Sequence, residues 1–488
     1  MNDVDVLIVG AGISGIDAAV NLQKSCPDRR FVMLEAREQI GGTWDLFRYP
    51  GIRSDSDMFT LGFNFKPWNR DESIAKGETI RDYLEETIDE FGLRKHLRLQ
   101  HRVTAADWDS ATATWRVSVS TPAGDQSFSC NFLLMCSGYY SYAGGYTPDF
   151  PGRDSFRGDV IHPQKWPENL DYSNKKIVVI GSGATAVTLV PSLAQKAARV
   201  TMLQRTPTWM ISRPGTDRFA ILLRKFLPEK TVYRFIRWRN MAMSRLLFKR
   251  SRSHPEKVSD MLLKGVRQAL TKDVDIDRHF KPNYTPWDQR LCLVPDNDFF
   301  DAINTGAAEV VTDHIAQFDE SGIQLASGQH LDADIIVTAT GLELEFMSGI
   351  PVTVDQQAVN FGNTYCYKGF MVSGVPNIGF VFGYANASWT LRADLVCEYL
   401  CRLLNHMRRK NVDTVLPTPL NPNMVGKPMM ELKSGYVARA IGQFPKQGDR
   451  MPWQAVQDYP TERDLFQKGE LDNELTLLSS RENSANAA

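Results

Sequence analysis

Two glycine-rich turns constrain this chain more than any other feature. Each turn follows a short apolar run rich in β-branched residues, and each precedes a second apolar run with helical character. This arrangement is typical of the βα unit of a parallel sheet. The first unit runs from Val4–Val9 through Gly10–Gly15 to Ile16–Leu22, and the second from Ile177–Ile180 through Gly181–Ala186 to Val187–Leu193. A weaker third unit is predicted from Ile378–Phe382 through Gly383–Trp389 to Leu391–Leu404.

The first turn has the residues of a dinucleotide-binding loop. Gly10 allows a tight turn, Gly12 lets the backbone approach a pyrophosphate, and Gly15 lets the helix pack closely on the sheet. The helix N-terminus then faces the phosphates, which its dipole favours. Glu35 ends the next strand, Phe31–Leu34, where a carboxylate can accept hydrogen bonds from ribose hydroxyls. Because all these parts occur in order, they predict a dinucleotide site rather than a purely structural glycine turn.

The residues that follow Glu35 favour FAD over NAD at this first site. Gly41 and Gly42 permit a close backbone approach to a large flat ligand, and Trp44 can form a wall beside an isoalloxazine ring. A core aromatic is the alternative for Trp44 alone, so the interpretation depends on the combination.

The second turn has the same spacing, with Ala186 in place of the third glycine. No acid follows the next strand, Val200–Leu203; Arg205 and Thr206 stand there instead. A guanidinium and a hydroxyl can hold a 2′-phosphate, so NADPH is predicted rather than NADH. The alternative for Arg205 is an ordinary exposed arginine. Two dinucleotide sites in one chain predict electron transfer between two cofactors.

A chain of 488 residues is too long for one ordinary domain. We predict an α/β fold with two Rossmann-like dinucleotide-binding domains, one for FAD and one for NADP, and a helical insertion in the NADP domain. The predicted divisions are 1–145 and 345–488 for the FAD domain with the C-terminal tail, 146–212 and 285–344 for the NADP domain, and 213–284 for the insertion. Residues 480–488 are polar and small and are expected to be frayed.

Composition narrows the class of partner. A formal net charge of −1 gives no reason to expect a nucleic-acid partner. Seven cysteines are scattered without a CxxC pair, so no metal centre is predicted and a reducing cytosol fits. Cys397 and Cys401 are interpreted as core residues. Because the N-terminus lacks a signal pattern and the sequence lacks an apolar stretch of about 18 residues, we expect a cytoplasmic protein without a spanning helix.

One stretch, 218–252, departs from this neutral balance. It contains eleven Lys or Arg residues and one acid, Glu229, interleaved with aromatic and aliphatic residues. A basic amphipathic stretch can lie on an anionic membrane, whereas the alternative is a solvated face over a packed core. Peripheral membrane contact through this stretch therefore stays open.

Two further motifs carry a family resemblance. Residues 156–167 read FRGDVIHPQKWP, which fits FxGxxxHxxxWP, and residues 41–55 read GGTWDLFRYPGIRSD. Over essentially its whole length the chain resembles the type I Baeyer–Villiger monooxygenases, within the class B flavoprotein monooxygenases. DLFRYPGIRSDSD, GSGATAVTLVP, PWDQRLCLVP and NASWTLRADLV make it most similar to the ethionamide-activating branch. The resemblance implies that NADPH and O₂ are used through a C4a-peroxyflavin to convert ketones to esters or lactones, and that sulfides or thioamides are also oxidised.

The resemblance also assigns site residues. It implies FAD contacts at Gly10, Gly12, Ser14, Gly15, Glu35, Gly42, Thr43, Trp44, Asp45, Leu46 and Val103. It implies contacts with both cofactors at Arg53, Ser54 and Asp55. With the fingerprint, it implies NADP contacts at Gly181, Ser182, Gly183, Ala184, Thr185, Ala186, Val187, Thr188, Arg205 and Thr206. Arg290 matches the family's active-site arginine, and His162 matches a linker residue rather than a proton donor.

Arg290 and Asp55 are the expected catalytic residues. A fixed cation keeps a peroxide anionic and stabilises the charge that moves onto a substrate oxygen. Asp55 is expected to hold Arg290 in place or to raise electron density near the flavin. One departure from the family is Gln289, where many members carry lysine, so discrimination for NADPH should rest mainly on Arg205.

Other functions stay open. A class B enzyme that oxygenates only nitrogen or sulfur would need no cation like Arg290. A flavin reductase or uncoupled NADPH oxidase would form no oxygenated product, and a non-catalytic nucleotide-binding regulator would hold no flavin. Met58, Phe59 and the region around Trp389 are candidate pocket residues, and Trp453 is either a loop residue closing over NADP or a packing residue.

Overall fold

The computed structural model describes residues 2–421, 423–430 and 434–479. The predicted frayed segment 480–488 lies outside these residues. The described chain contains two large sheets, and the predicted α/β class with two Rossmann-like units is confirmed.

The first sheet has nine strands and is parallel where it carries the first glycine-rich turn. Asn2–Val9 lies between Gly124–Met135 and Phe31–Leu34 and is parallel to both. From one edge, the order is Gln357–Ala358, Val352–Val354, Arg102–Asp109, Thr114–Thr121, Gly124–Met135, Asn2–Val9, Phe31–Leu34 and Leu97–Arg98, with Ile378–Phe380 also pairing with Gly124–Met135. Val6–Val9 are buried because helices cover one face of this strand and a second apolar cluster covers the other. This explains the uninterrupted apolar run.

Two helices with small and apolar residues cover one face of this sheet. Ile13–Ser25 follows the first turn, and Trp389–Lys410 packs against it. The first helix starts three residues earlier than predicted because Gly12 is its N-cap. The third predicted βα unit exists, but its strand is Ile378–Phe380 and its helix extends to Lys410. Cys397 and Cys401 are buried in that helix, as predicted.

The second sheet has five parallel strands. Their order is Ala308–Thr312, Arg199–Gln204, Lys176–Ile180, Ile335–Thr338 and Asp159–Ile161. The helices Ala184–Leu193 and Asp298–Thr305 pack together beside it. A parallel pair, Met210–Arg213 with Cys292–Pro295, and an antiparallel sheet of Ile315–Asp319, Gly322–Leu325 and His330–Asp332 complete this unit.

The stretch between the strands Met210–Arg213 and Cys292–Pro295 is helical, as predicted. Its helices are Arg218–Arg224, Glu229–Ser253, Pro255–Ala269 and Ile276–His279. Arg237, on the longest of them, is buried and donates hydrogen bonds to the carbonyl oxygens of Phe59 at 2.9 Å and Gly62 at 2.7 Å. It also pairs with Asp394 at 2.6 Å. The insertion is therefore fastened to the first unit by a buried charge.

Shorter elements complete the described chain. The remaining α-helices are Thr43–Leu46, Met58–Leu61, Gly77–Glu90, Gly435–Ala440 and Tyr459–Lys468. The remaining strand pairs are Tyr140–Gly145 with Leu342–Leu344, Cys366–Tyr367 with Met371–Val372, Thr414–Pro417 with Leu475–Leu478, and Lys427–Pro428 with Lys446–Gln447. The first of these pairs ends at Gly145 and at Leu344, next to the domain divisions near 145 and 345, which stay predictions. Among the described residues, no helix has the length and apolar character needed to cross a bilayer.

Candidate active site

A cavity of about 1360 Å³ lies between the two sheets, at the ends where both glycine-rich turns stand. It is larger than the roughly 300–1,000 Å³ of a typical small-molecule pocket, so it has room for more than one ligand. The lining includes most of the predicted site residues: Gly10, Gly12, Ser14, Glu35, Gly42, Thr43, Trp44, Arg53, Ser54, Asp55, Val103, Gly181, Ser182, Gly183, Ala184, Thr185, Arg205, Thr206 and Arg290. The fold thus brings together residues that the sequence places up to 280 positions apart.

The first turn has the close packing that its glycines predict. Gly10 has φ +105°, and a Cβ there would stand 2.7 Å from the carbonyl oxygen of Cys136. A Cβ on Gly15 would stand 1.9 Å from the carbonyl oxygen of Gly10, which no side chain can tolerate. Gly15 therefore acts by helix packing and does not line the cavity. The open N-terminus of the helix Ile13–Ser25 faces the cavity, as a pyrophosphate requires.

The Glu35 carboxylate is held in place by two backbone hydrogen bonds. Its Oε2 accepts a hydrogen bond from the backbone N–H of Ala11 at 2.8 Å, and its Oε1 accepts one from the backbone N–H of Arg37 at 2.9 Å. Burial raises the pKa of the Glu35 carboxyl, while these two hydrogen bonds act in the opposite direction. The carboxylate lines the cavity in the position expected for a ribose partner.

Two predicted FAD residues, Asp45 and Leu46, lie behind the residues that line the cavity. Asp45 is buried and its carboxylate pairs with Arg48, with Arg37 at 2.7 Å and with Arg81 at 3.7 Å. Leu46 is buried in the apolar cluster beneath the second unit. Neither side chain lines the cavity, so these two residues position the turn containing Thr43 and Trp44, which do line it.

The second turn leaves space for a phosphate. Gly181 has φ +134°, and a Cβ there would stand 2.3 Å from the carbonyl oxygen of Ala339. A Cβ on Gly183 would meet no atom within 4 Å, so the cavity is open above it. Ala186, Val187 and Thr188 are buried along the following helix and do not line the cavity.

Arg205 and Thr206 follow the strand of the second unit and line the cavity. Arg205 is exposed and has no ion pair among the residues that the structure describes. The backbone of Thr206 accepts a hydrogen bond from Ser182 Oγ at 2.8 Å, which joins this position to the glycine-rich turn. Gln289 also lines the cavity. A guanidinium without an ion-pair partner among the described residues suits a 2′-phosphate.

Arg290 faces the cavity and its partner is a tyrosine. Its Nη2 donates a hydrogen bond to the Tyr139 hydroxyl at 3.4 Å, and the Tyr139 and Tyr140 hydroxyls lie 2.7 Å apart. The neighbouring Tyr139 hydroxyl raises the pKa of Arg290, Tyr436, Tyr140 and Asp55 act in the same direction, and burial opposes them. The guanidinium therefore stays charged over the whole working range of pH.

Asp55 lies near Arg290 without pairing with it. Within the described chain, no ion pair of 4.0 Å or less joins Asp55 to an arginine. Its side chain faces the cavity, yet protein encloses it on other sides, and this burial raises the pKa of the carboxyl while Arg290 and Arg53 lower it. The hydrogen-bond partner of Arg290 is therefore the hydroxyl of Tyr139, and Asp55 acts on the guanidinium through its charge and not through direct contact.

Arg53 connects the two units. Its guanidinium pairs with Asp298, at the start of the helix Asp298–Thr305 of the second unit. Since Arg53 also lines the cavity, it fixes the loop between the two glycine-rich turns at the junction of the units.

Tyr139, Tyr140 and Trp389 form an aromatic wall of the cavity, and of these three residues only Trp389 was predicted from the sequence. Tyr139 stacks on Trp389 with ring centroids 5.3 Å apart, and the Trp389 indole N–H donates to Ser14 Oγ at 2.7 Å. Tyr139 and Tyr140 follow the strand Gly124–Met135, which is next to the strand that ends at Val9, directly before Gly10. That position at a strand's carboxyl end was the available signal.

Four other residues that the sequence analysis considered, Met58, Phe59, Trp453 and His162, do not line the cavity. Met58 and Phe59 are buried in the core and do not line the cavity, because the helix Met58–Leu61 turns them inward. Trp453 is fully buried and its indole N–H donates to Glu474 at 2.7 Å, so it packs rather than closing over a ligand. His162 accepts a hydrogen bond from the Gln164 backbone and lies 3.1 Å from the Gly341 carbonyl oxygen, which is the placement of a linker residue. The described residues contain no cluster of three or more metal-binding side chains.

Comparison with known proteins agrees with this geometry. The NAD(P)-binding Rossmann-like domain matches residues 8–70 and the flavin-binding monooxygenase-like family matches residues 71–360. The FAD-containing monooxygenase EthA of Mycobacterium tuberculosis is 49% identical over 98% of this chain and 98% of its own length. The probable FAD-binding monooxygenase AlmA of Acinetobacter baylyi is 49% identical over 96% of this chain and 95% of its length.

Solved structures share the fold. A steroid monooxygenase bound to NADP superposes with a TM-score of 0.78 at 21% identity, covering 98% of this chain and all of that one. A cyclohexanone monooxygenase gives the same TM-score at 20% identity and the same coverage. The two glycine-rich turns, Glu35 and the free Arg205 fit FAD and NADP, the cofactors predicted from the sequence. The chain therefore belongs to the flavin-binding monooxygenase-like family and is an FAD- and NADP-dependent monooxygenase.

Proposed function

We propose that this enzyme uses NADPH and O₂ to insert an oxygen atom next to the carbonyl group of a ketone, giving an ester or lactone. We propose further that it oxygenates the sulfur of sulfides or thioamides. One observation carries the first proposal: Arg290 faces the cavity between the two nucleotide turns and, within the described residues, has no carboxylate partner within 4.0 Å.

A cation in that position matters because of where charge develops. When bound, NADPH supplies hydride to FAD, and reduced FAD activates O₂. Arg290 stabilises the negative charge that builds on the carbonyl oxygen when a nucleophile adds to the carbonyl carbon. It also favours an anionic over a protonated oxidant. An arginine with a raised pKa does both without giving up its proton.

The neighbours of Arg290 keep it in position. Tyr139 accepts its hydrogen bond, and the ring of Tyr139 stacks on Trp389. Trp389 is in turn anchored to Ser14 at the start of the first helix. The cation is thus fixed to the elements that hold FAD, and such preorganisation avoids a reorganisation cost during reaction.

Relatives support both activities. One similar structure is a cyclohexanone monooxygenase with bound ε-caprolactone, a ketone oxygenase holding a lactone. Sulfur oxygenation is supported by the 49% identity to EthA and by the resemblance to the ethionamide-activating branch, since ethionamide is a thioamide. An enzyme that oxygenated sulfur alone would not need a fixed cation at the carbonyl.

The test uses the purified flavoenzyme with NADPH, ¹⁸O₂ and either a cyclic ketone or a thioamide. We expect one ¹⁸O atom in the lactone and in the S-oxide. For Arg290→Ala, we expect FAD reduction at the normal rate and a fall of about 10²–10³-fold in lactone formation, as for removal of one preorganised charge-stabilising group. Arg153→Ala is the matched control, because Arg153 is an exposed arginine outside the cavity lining.

Three results would contradict the proposal. Normal lactone formation by Arg290→Ala would remove the role of the cation. An S-oxide without any lactone from the wild-type enzyme would favour an oxygenase of heteroatoms only. NADPH consumption that yields H₂O₂ and no labelled product would favour an uncoupled oxidase.

A further inference from the structure

The outer face of the helical insertion exposes apolar side chains to solvent. Among the described residues, eleven large hydrophobic side chains are exposed, and nine of them lie within residues 219–261. Phe226 is 76% exposed and Trp238 is 61% exposed, values that no folding requirement explains. We define the insertion patch as Phe219, Leu222, Phe226, Leu227, Phe235, Trp238, Met243 and Leu246. Its concentration in one region marks a surface that is covered by something else.

Three aromatic rings of the patch, those of Phe219, Phe235 and Trp238, are in contact. On the helix Glu229–Ser253, Trp238 lies three positions and Leu246 eleven positions after Phe235, so the three side chains share one face. Phe219, on the preceding helix, contacts Phe235 with ring centroids 6.3 Å apart, and Phe235 contacts Trp238 at 6.0 Å. The aromatic rings of two helices therefore form one exposed apolar surface.

The same helices and the turn between them carry positive charge that ion pairs neutralise only in part. Four arginines there have partners: Arg224 with Asp71, Arg239 with Asp217, Arg245 with Asp458 and Arg252 with Asp288. Six exposed cations have no ion pair among the described residues: Arg218, Lys225, Lys230, Arg234, Lys249 and Arg250. Because the chain as a whole has a net charge of −1, this positive charge is local.

We propose that the insertion patch docks on the surface of an anionic phospholipid bilayer. Aromatic and aliphatic side chains enter the boundary between headgroups and acyl chains, while lysine and arginine pair with the anionic headgroups. A second copy of this chain fits less well, since a symmetric contact would bring like charges together. A nucleic acid would engage the cations and leave the apolar stripe exposed.

The patch is connected to the loop that carries Arg290. Phe248 of the same helix packs edge-to-face on Trp287 with centroids 5.6 Å apart, and Arg252 pairs with Asp288 at 2.9 Å. Docking therefore places the helix that contacts this loop on the bilayer, where apolar substrates concentrate. This consequence rests on the proposed function, whereas docking itself does not.

The test is co-sedimentation of the holoenzyme with vesicles at low ionic strength. One set is phosphatidylcholine alone and the other contains phosphatidylglycerol as well. We expect binding to the second set only and release at high salt. Each basic residue near an anionic surface changes partitioning about fivefold, so Lys230→Glu with Arg234→Glu should lower the partition coefficient at least about 20-fold. Phe226→Ser with Trp238→Ser should lower it about tenfold or more.

Matched controls exist elsewhere on the surface. Lys175→Glu with Lys196→Glu makes the same charge change at exposed lysines of the second unit, and Leu420→Ser with Val425→Ser removes equally exposed apolar groups. Both controls should bind like the wild type. The readout is binding alone, so a failure of oxygenation would not affect it.

Three outcomes would overturn the proposal. One is a wild-type enzyme that does not sediment with anionic vesicles at low salt. Another is equal binding by the patch variants and their controls. The third is a patch variant that changes only the oligomeric state in light scattering while its vesicle binding equals the wild type, which would assign the patch to a second copy.

Discussion

Arg290 donates its hydrogen bond to the hydroxyl of Tyr139, across 151 positions of sequence. Tyr139 is 7% exposed and is fixed by stacking on Trp389, so the acceptor cannot move away from the guanidinium. Because the partner is neutral, the positive charge of Arg290 is not cancelled by direct contact. A neutral, fixed acceptor therefore orients the cation and leaves its field directed into the cavity.

Tyr139→Phe should slow oxygenation and spare reduction. The ring stack survives and only the hydroxyl is lost, so the cost is that of one hydrogen bond, about 1–1.5 kcal/mol or five- to tenfold in kcat. Stopped-flow measurement of FAD reduction by NADPH without O₂ should give the wild-type rate. Tyr140→Phe, which keeps the contact to Arg290, should have a smaller effect. An equal loss in both half-reactions would show that Tyr139 is structural only.

Asp55 should produce an acid limb in the pH profile of oxygenation. Burial raises its pKa above the ordinary value of about 3.9, so its negative charge is lost at a higher pH than for an exposed aspartate. The expected rate therefore falls as the pH falls through that raised pKa. Asp55→Asn should be slower at neutral pH and should lack this limb. If kcat/KM of the variant keeps the limb unchanged, another group is titrating.

Arg205 should carry most of the preference for NADPH. Arg205→Ala removes a charge-assisted contact worth about 1.5–3 kcal/mol, so KM for NADPH should rise about 10–100-fold while KM for NADH changes little. Gln289→Lys adds a second cation to the cavity wall and should lower KM for NADPH. Equal increases of KM for both cofactors in Arg205→Ala would place this arginine away from the 2′-phosphate.

Arg237 should be costly to remove, because its ion pair is buried. Arg237→Met leaves the buried carboxylate of Asp394 without its partner, which typically costs about 3–5 kcal/mol of the free energy of unfolding. Arg239→Met, which breaks the more exposed pair with Asp217, should cost less than about 1 kcal/mol. Denaturant unfolding of the holoenzyme compares the two, and equal costs would contradict this account.

The loss in Arg237→Met should also depend on pH. Burial raises the pKa of Asp394 to about 6, and Arg237 opposes that rise. A carboxyl with a raised pKa binds its proton more tightly in the folded state, so stability falls as the pH rises from about 4 through 6. Without Arg237 this pKa rises further and the loss extends to higher pH. The destabilisation should therefore be smaller near pH 5 than near pH 8, and a constant difference would exclude Asp394 as its source.

The placement of several candidate site residues could be predicted because it depends on local structure. Gly10, Gly12 and Gly15 belong to one turn and one helix, and Glu35 directly follows the strand that pairs with the strand before that turn. Arg205 likewise stands at the end of the strand next to its own turn. In each case, a spacing of some 20 residues contains the whole physical requirement, because the βα unit forms from contiguous chain.

The side of a short helix on which a given side chain lies could not be predicted from the sequence. Asp45 and Thr43 lie on the same short helix, yet Thr43 lines the cavity and Asp45 forms ion pairs with three arginines on the other side. Met58 and Phe59 are turned inward for the same reason. An apolar or charged residue in a one-turn helix fits either side, and only packing of distant segments selects one.

Both nucleotide sites, and with them the pairing of FAD with NADP, follow from the order of residues along the chain, since each site closes within one supersecondary unit. The partner of Arg290 does not follow, nor does the exposure of the insertion patch. Each depends on how segments more than a hundred positions apart, or whole helices, pack once the sheets have formed. Contacts of that kind are set by the burial of the two cores as a whole, which no short stretch of sequence encodes.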